Sequence, residues 1–256
     1  MAGRQRLAKL ARLVTDEVRL DTANDLSHNG ESEIQRAALT DPNPTIFDVG
    51  AHFGEWSGSL LSQPGSTPNL HMFEPSASTS SRARNIVGDR GQVHQVALSD
   101  HVGAAELQIV HEGAGSNSLV PFTAVGRTSG VVEEVELSTV DAFADQAGIP
   151  RITLLKIDAE GHDLAVMRGA TRMLSRQAVD LIQFEYNIRW IDSRVFLLDA
   201  FELLMPFGYS MGKVTSRGVE TYPTWHPTLE TFREGNYLAY QPSWADRLRT
   251  FDWWGG

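Results

Sequence analysis

Four carboxylates stand at or near the ends of short, mostly apolar runs: Asp48, Glu74, Asp158 and Glu185. Carboxylates are rarely buried without partners, so a rim that gathers four of them calls for a function. Asp158 closes Ile152-Thr-Leu-Leu-Lys-Ile157, and Glu185 closes Val179 to Phe184. If those two runs are neighbouring strands, their ends lie roughly 5 Å apart. Two carboxylates that close repel, which raises one pKa or recruits a cation. Two chemistries are therefore open, a general base for a hydroxyl and a set of ligands for a divalent metal. A structural reading stands beside them, an acid held by the amides that open the next helix. His162, in the same turn, is a candidate base or ligand, or else a capping residue. Lys156 shares a strand face with Asp158 and can pair with an acid there.

The second constellation is Asp48-x-Gly50-x-His52-x-Gly54, inside Thr45-Ile-Phe-Asp-Val-Gly-Ala-His-Phe-Gly-Glu-Trp56. The apolar start reads as a strand buried on both faces. The glycines then break it, and Glu55 to Leu61 opens a helix. Strand, glycine turn and helix N-terminus make a cofactor cradle, because glycine admits a close backbone approach and the first amides of the helix point at the ligand. A dinucleotide fingerprint would need glycine at positions 50, 52 and 55, and here they are Gly50, His52 and Glu55. NAD and FAD are disfavoured. The pattern resembles instead the first motif of S-adenosylmethionine (SAM) methyltransferases. Glu74 lies roughly 25 residues on, near the expected place of a ribose-binding acid. The candidate cofactor residues are thus Asp48, Gly50, His52, Gly54 and Glu74.

The elements that must position these residues alternate. Strands are expected from Thr45 and over Asn69–Pro75, Gln92–Leu98, Ile152–Asp158 and Val179–Phe184, with helices over Ser76–Val87, Val140–Ala147, Asp163–Arg176 and Arg194–Met205. Tyr209–Val214 and Asn236–Tyr240 read as two last strands, and Thr215–Gly235 between them reads as a loop. Alternation implies a parallel α/β sheet with helices on both sides. The closing strands have no helix between them and imply one antiparallel partner. Ala104–Val110 and Val131–Leu137 read as a hairpin insertion, about residues 103–138, with a mobile loop between them. Residues 1–44 form an N-terminal helical segment, 45–241 the main domain and 242–256 an aromatic tail, with Trp244, Phe251, Trp253 and Trp254, that docks on the domain or on a second subunit.

Gly3–Leu20 is an amphipathic helix, with Leu7, Leu10, Val14 and Val18 at helical spacing among Arg4, Arg6, Lys9 and Arg12. It is expected to pack on its own domain, and the sharper alternative is transient attachment to an anionic membrane. Acceptor-pocket candidates are Ser116, Asn117 and Ser118, then Asn187, Arg189 and Trp190, then Tyr222, Trp225 and His226.

The 256 residues are 41% hydrophobic, enough for one large α/β domain. A net charge of −10 argues against a broad nucleic-acid surface. There is no cysteine, which excludes disulfides, thiolate metal sites and a cysteine nucleophile. No apolar run is long enough to span a bilayer, and the basic N-terminus lacks the apolar core of a signal peptide, so the expected compartment is the cytoplasm.

Asp48-Val-Gly-Ala-His-Phe-Gly54, Phe73-Glu-Pro75, Val96-Ala-Leu98 and above all Leu155-Lys-Ile-Asp-Ala-Glu-Gly161 resemble the FkbM-type SAM-dependent methyltransferase family. Arg168-Gly-Ala170 and Asn29-Gly-Glu31 add to the likeness, while His52 departs from the asparagine usual at its position. The resemblance implies a Rossmann-like seven-stranded methyltransferase sheet, mostly parallel with one antiparallel strand. It also implies O-methylation of a hydroxyl on a sugar, lipid or natural product. Asp158, Glu185 and His162 are the expected catalytic residues, with SAM as cofactor and a divalent metal left open. The partner is a small hydroxylated acceptor rather than nucleic acid, and a homo-oligomer is open. The rival reading is a catalytically silent, methyltransferase-like binding subunit.

Overall fold

All six residues of Ile152–Ile157 and all eight of Val179–Tyr186 are buried, including Lys156, Gln183 and Glu185. Strands covered on both faces need a helical layer on each side, and that requirement sets the architecture. The computed structural model describes residues 2–21, 25–26, 28–110, 115, 117–121 and 131–255.

The chain begins with α1 (Ala2–Val18), α2 (Glu31–Ala38), β1 (Thr45–Val49), α3 (Glu55–Ser62), β2 (Asn69–Phe73), α4 (Ala77–Val87) and β3 (Gln92–His94). An excursion follows through β4 (Ala97–Leu98), β5 (Gly103–Ile109) and β6 (Val131–Ser138). The middle holds α5 (Val140–Ala147), β7 (Ile152–Ile157), α6 (Asp163–Arg168), α7 (Thr171–Ser175), β8 (Val179–Tyr186), α8 (Arg189–Asp192) and α9 (Leu197–Leu204). The last strands are β9 (Ser210–Thr215), β10 (Gly218–Tyr222), β11 (Gly235–Tyr240) and β12 (Thr250–Asp252).

Among the described residues the main sheet runs β12-β10-β9-β11-β8-β7-β1-β2-β3. Its inner seven strands, from β9 to β3, are the expected mostly parallel sheet with one antiparallel member, β11, wedged between β8 and β9. Two further strands, β10 and β12, extend the edge beyond β9. The sequence reading missed β10 inside its expected loop at Thr215–Gly235. The cause is Glu220, a buried acid at the strand's centre that accepts from the hydroxyl of Tyr222 at 2.7 Å and makes the segment read as polar. The aromatic tail docks on the domain: β12 pairs with β10, and the Trp253 ring packs 5.7 Å from that of Tyr222.

Two expected elements are divided. The third strand splits because its halves serve different sheets, β3 beside β2 and β4 beside β6 in a small three-stranded sheet with β5. The helix at Asp163–Arg176 breaks at Gly169–Ala170. There Asp141 accepts hydrogen bonds from the amides of Arg172 and Met173 at 2.8 and 2.9 Å and starts a new helix, α7. Capping by an acid satisfies amides that a continuous helix would have bonded internally. The N-terminal helix forms as expected, but Leu7, Leu10, Leu13, Val14 and Val18 along it are exposed, so its apolar stripe is not packed on the domain. No described helix is long and apolar enough to cross a membrane.

Candidate active site

The carboxyl ends of β1, β2, β7 and β8 converge on one rim. At its centre Gly50 follows β1 with φ +72°, and a Cβ there would sit 1.8 Å from the carbonyl oxygen of Asp158. Only glycine allows the two strand ends to pass that closely. Gly54 opens α3 with φ +90°. Between them His52 also takes a left-handed conformation, φ +49°, and its amide donates to Glu74 Oε2 at 2.9 Å. The other Glu74 oxygen accepts from the amide of Ser76 at 3.1 Å and the hydroxyl of Thr79 at 2.7 Å. Burial pushes the Glu74 carboxyl up, and these hydrogen bonds work the other way.

A cavity of about 570 Å³, counting its open mouth, lies above this turn. Glu74, His52, Phe73 and Leu98 line one side, and Asp158 and His162 the other. The hairpin excursion roofs it with Gly115, Asn117, Ser118 and Leu119. Ser118 is held there by donating its hydroxyl to the Glu160 carbonyl at 2.8 Å and by backbone pairing with Gln108. Ser116 lies outside the described residues. The cavity has an apolar wall and a carboxylate at its edge. Its chemistry fits SAM: a glycine turn and a ribose-type acid.

Asp48 does not touch that cavity. It is fully buried beneath the turn, where Oδ2 accepts from Ser57 at 2.6 Å and Oδ1 lies 3.2 Å from Lys156 Nζ. Lys156 also reaches Asp158 Oδ2 at 3.4 Å. Burial opposes the lysine's charge, but Asp48, Asp158 and Glu31 outweigh it and hold its pKa above the ordinary value. Lys156 is therefore a fixed cation and no base.

The strand-end argument for Asp158 and Glu185 rests on β7 and β8 being neighbours, and they are, in parallel register with Ile157 opposite Phe184. A third acid joins them. One oxygen each from Asp158, Glu160 and Glu185 lie within 4.8 Å of one another. Burial, with Asp158 and Asp163 nearby, pushes Glu160 up to about 8. Burial and the same neighbours push Glu185 well above the usual range, and Asp163 beneath them rises to about 7. The cluster therefore holds protons at neutral pH, or a hard cation in their place. His162 turns away from it. Its Nε2 meets Ser99 Oγ at 3.0 Å, and burial lowers its pKa, so it is a neutral ring in the cavity wall.

A second depression, about 830 Å³ with its open mouth, adjoins the cavity and shares Gly50, His52, Gly115, Asp158 and Glu160 with it. Its own lining adds Glu31, Trp56, Lys156 and Glu185. Glu31 comes from the start of α2 and accepts from Asn29, Gln183 and Asn236. Burial raises its pKa, against the pull of Lys156 and those donors. Trp56 Nε1 is buried without a hydrogen-bond partner among the described residues, and the Lys156 ammonium lies 5.9 Å from the ring centre. Sequence reasoning missed Glu31, Trp56 and Glu160 as lining residues. The signal for Glu31 and Glu160 was present in the Asn29-Gly-Glu31 and Leu155-to-Gly161 motifs.

The expected acceptor aromatics lie elsewhere. Trp190 is fully buried with Nε1 donating to the Glu185 carbonyl at 3.0 Å. Tyr222 pairs with Met211 at the amino edge of β9. Trp225 Nε1 donates to Glu230 at 2.9 Å, and the His226 ring packs 5.4 Å from that of Trp253. None of the four lines the cavity or its acidic neighbour. Asn187 and Arg189 serve the turn after β8, the first on Glu185 and the second on Asp192.

Comparison with known proteins agrees with this geometry. Residues 48–211 match the family described as Methyltransferase FkbM domain, well over half of the chain. A curated relative, the 2-O-methyltransferase NoeI of Sinorhizobium fredii (strain NBRC 101917 / NGR234), is 26% identical over 71% of this chain and 79% of its own. Among solved structures, the precorrin-6Y C5,15-methyltransferase of Geobacter metallireducens GS-15 is similar with a TM-score of 0.44 and 12% identity, over 86% of this chain and 92% of that one. An O-methyltransferase from Bacillus cereus in complex with SAH is similar with a TM-score of 0.42 and 10% identity, over 91% and 90%. The glycine turn, the acid on β2 and the lysine–aspartate strand end all fall at or inside the matched segment: the chain belongs to the FkbM methyltransferase family and is a SAM-dependent methyltransferase.

Proposed function

We propose that the protein is an O-methyltransferase acting on a hydroxyl of a small polyhydroxylated acceptor, a sugar or a sugar-like part of a natural product. One observation carries this reading: the acidic depression that opens from the cofactor cavity and shares Asp158 and Glu160 with it. Carboxyls at Glu31, Glu160 and Glu185 with the indole of Trp56 offer hydroxyl-binding groups and an aromatic edge, a mixture suited to a hydroxylated ring. The name of the curated relative, a 2-O-methyltransferase, supports oxygen as the acceptor atom. A polyphosphate backbone would meet carboxylates at the rim, which disfavours nucleic acid.

Gly50, His52, Gly54 and Glu74 are the proposed cofactor-holding residues, with Glu74 on the ribose hydroxyls. Bound SAM supplies a methyl group on a positively charged sulfur, reactive without further activation. The protein then has to align an oxygen with that methyl and take up its proton. Asp158 is the proposed proton acceptor. Lys156 holds its carboxyl in place from below, and the protonated Glu160 and Glu185 can donate to acceptor oxygens. His162 has a wall position and no proton role in this scheme. The metal alternative uses the same three acids, and the fixed Lys156 cation beside Asp158 weighs against it.

The test is a methyl-transfer screen with labelled SAM against glycosides, polyketide alcohols, catechols, peptides and RNA. Label is expected on the alcohols and glycosides. Label confined to RNA or to a protein nitrogen would overturn the assignment.

A further inference from the structure

The first helix is the one element whose sequence pattern asks for a partner that the domain does not provide. Leu7, Leu10, Leu13, Val14 and Val18 run along α1 and are 50% to 68% exposed. At 3.6 residues per turn they form one stripe, Arg4 and Lys9 fall on its two borders, and Arg6 and Glu17 lie within it near one edge. Arg12 lies behind. No acid precedes Asp16, so this stretch is locally cationic in a chain of net charge −10. At its carboxyl end the helix is fixed to the domain: Asp16 pairs with Arg233, and Arg19 donates to the Thr228 carbonyl at 3.0 Å. The apolar stripe is thus held out in one orientation.

We propose that α1 docks the protein on an anionic phospholipid surface, with the aliphatic stripe in the headgroup–acyl boundary and the basic residues at its borders among the lipid phosphates. Two observations favour lipid over other occupants. An exposed aliphatic stripe bordered by basic residues is the pattern of a helix lying in a membrane interface. The cationic charge of this stretch complements an anionic leaflet. The helix also stands at the site's edge, since Arg12 and Asp16 line a surface cleft with Glu160, Glu185 and the exposed Ile188. The inference is independent of which acceptor is methylated.

The experiment is vesicle flotation of the full chain. Phosphatidylcholine vesicles with added phosphatidylglycerol are expected to carry the protein up, neutral phosphatidylcholine vesicles to do so far less, and added salt to release it. The double variant Leu10→Glu/Val14→Glu is expected to bind the anionic vesicles at least about tenfold more weakly, with an unchanged melting temperature because both side chains are exposed. Arg4→Glu/Arg6→Glu should show the same loss. Absence of flotation with anionic vesicles, or equal flotation of the Leu10→Glu/Val14→Glu variant, overturns the proposal. A dimer in sedimentation that the same variant dissolves, with no vesicle binding by either protein, assigns the stripe to a second copy and also overturns it.

Discussion

Lys156 and Asp48 are direct partners across the β1–β7 ladder, and their side chains meet 3.2 Å apart at positions closed to solvent. A buried pair of this kind stabilises little in itself, but removing one member strands the other. Lys156→Met should therefore cost about 3–5 kcal/mol of folding stability, read by urea denaturation. Lys156→Met/Asp48→Asn should recover much of that loss. A single variant as stable as the wild type would show that the pair is dispensable to the fold.

Glu74→Gln should weaken SAM binding by about 1.5–3 kcal/mol, the range for hydrogen bonds to a charged group. The same change loosens the grip on the His52 amide and on Thr79, so calorimetry needs a melting curve beside it. Unchanged SAM affinity in a folded variant would move the ribose away from Glu74.

Asp158→Asn is expected to lower turnover by about 10²–10⁴-fold, the usual worth of a positioned proton acceptor, with SAM affinity close to wild type. Full activity after rigorous chelation is expected too. Activity lost on chelation and restored by a divalent ion would turn the Asp158–Glu160–Glu185 cluster into a metal centre.

The indole of Trp56 gives the acceptor prediction. Trp56→Phe shrinks the ring that lines the depression, so the acceptor KM should rise by up to about tenfold while SAM binding stays level. Trp225→Phe should change neither value, because its N–H is used on Glu230. The opposite result for this pair would place the acceptor on the other face of the domain.

Glu160 sets a pH dependence. Its pKa stands at about 8 in the folded chain against an ordinary 4.5, so the native state holds a proton that the unfolded chain releases in between. The stability this contributes is complete below the ordinary value, declines as pH rises and is gone above about 8. Glu160→Gln should therefore flatten the melting temperature across that window. At about pH 9 the variant should melt a few degrees above wild type, roughly 2–4 °C for each kcal/mol gained. Glu185 is shifted the same way and keeps part of the slope in the variant. Parallel melting curves for the two proteins would remove Glu160 from the buried cluster.

The parallel half of this fold was legible because its strands are apolar on both faces and end in glycine or acid. Asp158 and Glu185 could be paired only on the condition that their strands are neighbours, which β7 and β8 are. What could not be read was burial that contradicts residue type. Gln183 is fully buried within β8, where it donates to Glu31, a contact between positions far apart in the chain. Trp56 read only as part of a helix start, and its N–H is buried without a partner among the described residues. Trp225 looked like a cover for the site because loop aromatics are ambiguous; its direction depends on Glu230, which spacing does not reveal. His162 sat in the right turn, but its ring direction follows from Ser99 on another segment.

The position of β11 has a consequence for how the chain comes apart. Among the described residues, β9 and β10 form a hairpin whose strand pairing into the parallel strands runs through β11, which comes later in sequence than both. During folding the hairpin can close early from local contacts, yet it must wait for β11 to seat beside β8 before it joins the rest. Amide exchange should accordingly show two blocks, with β1, β7 and β8 slowest and β9, β10 and β12 opening together once β11 lets go. A mechanical pull that peels β11 from β8 would release the whole edge in one step rather than strand by strand.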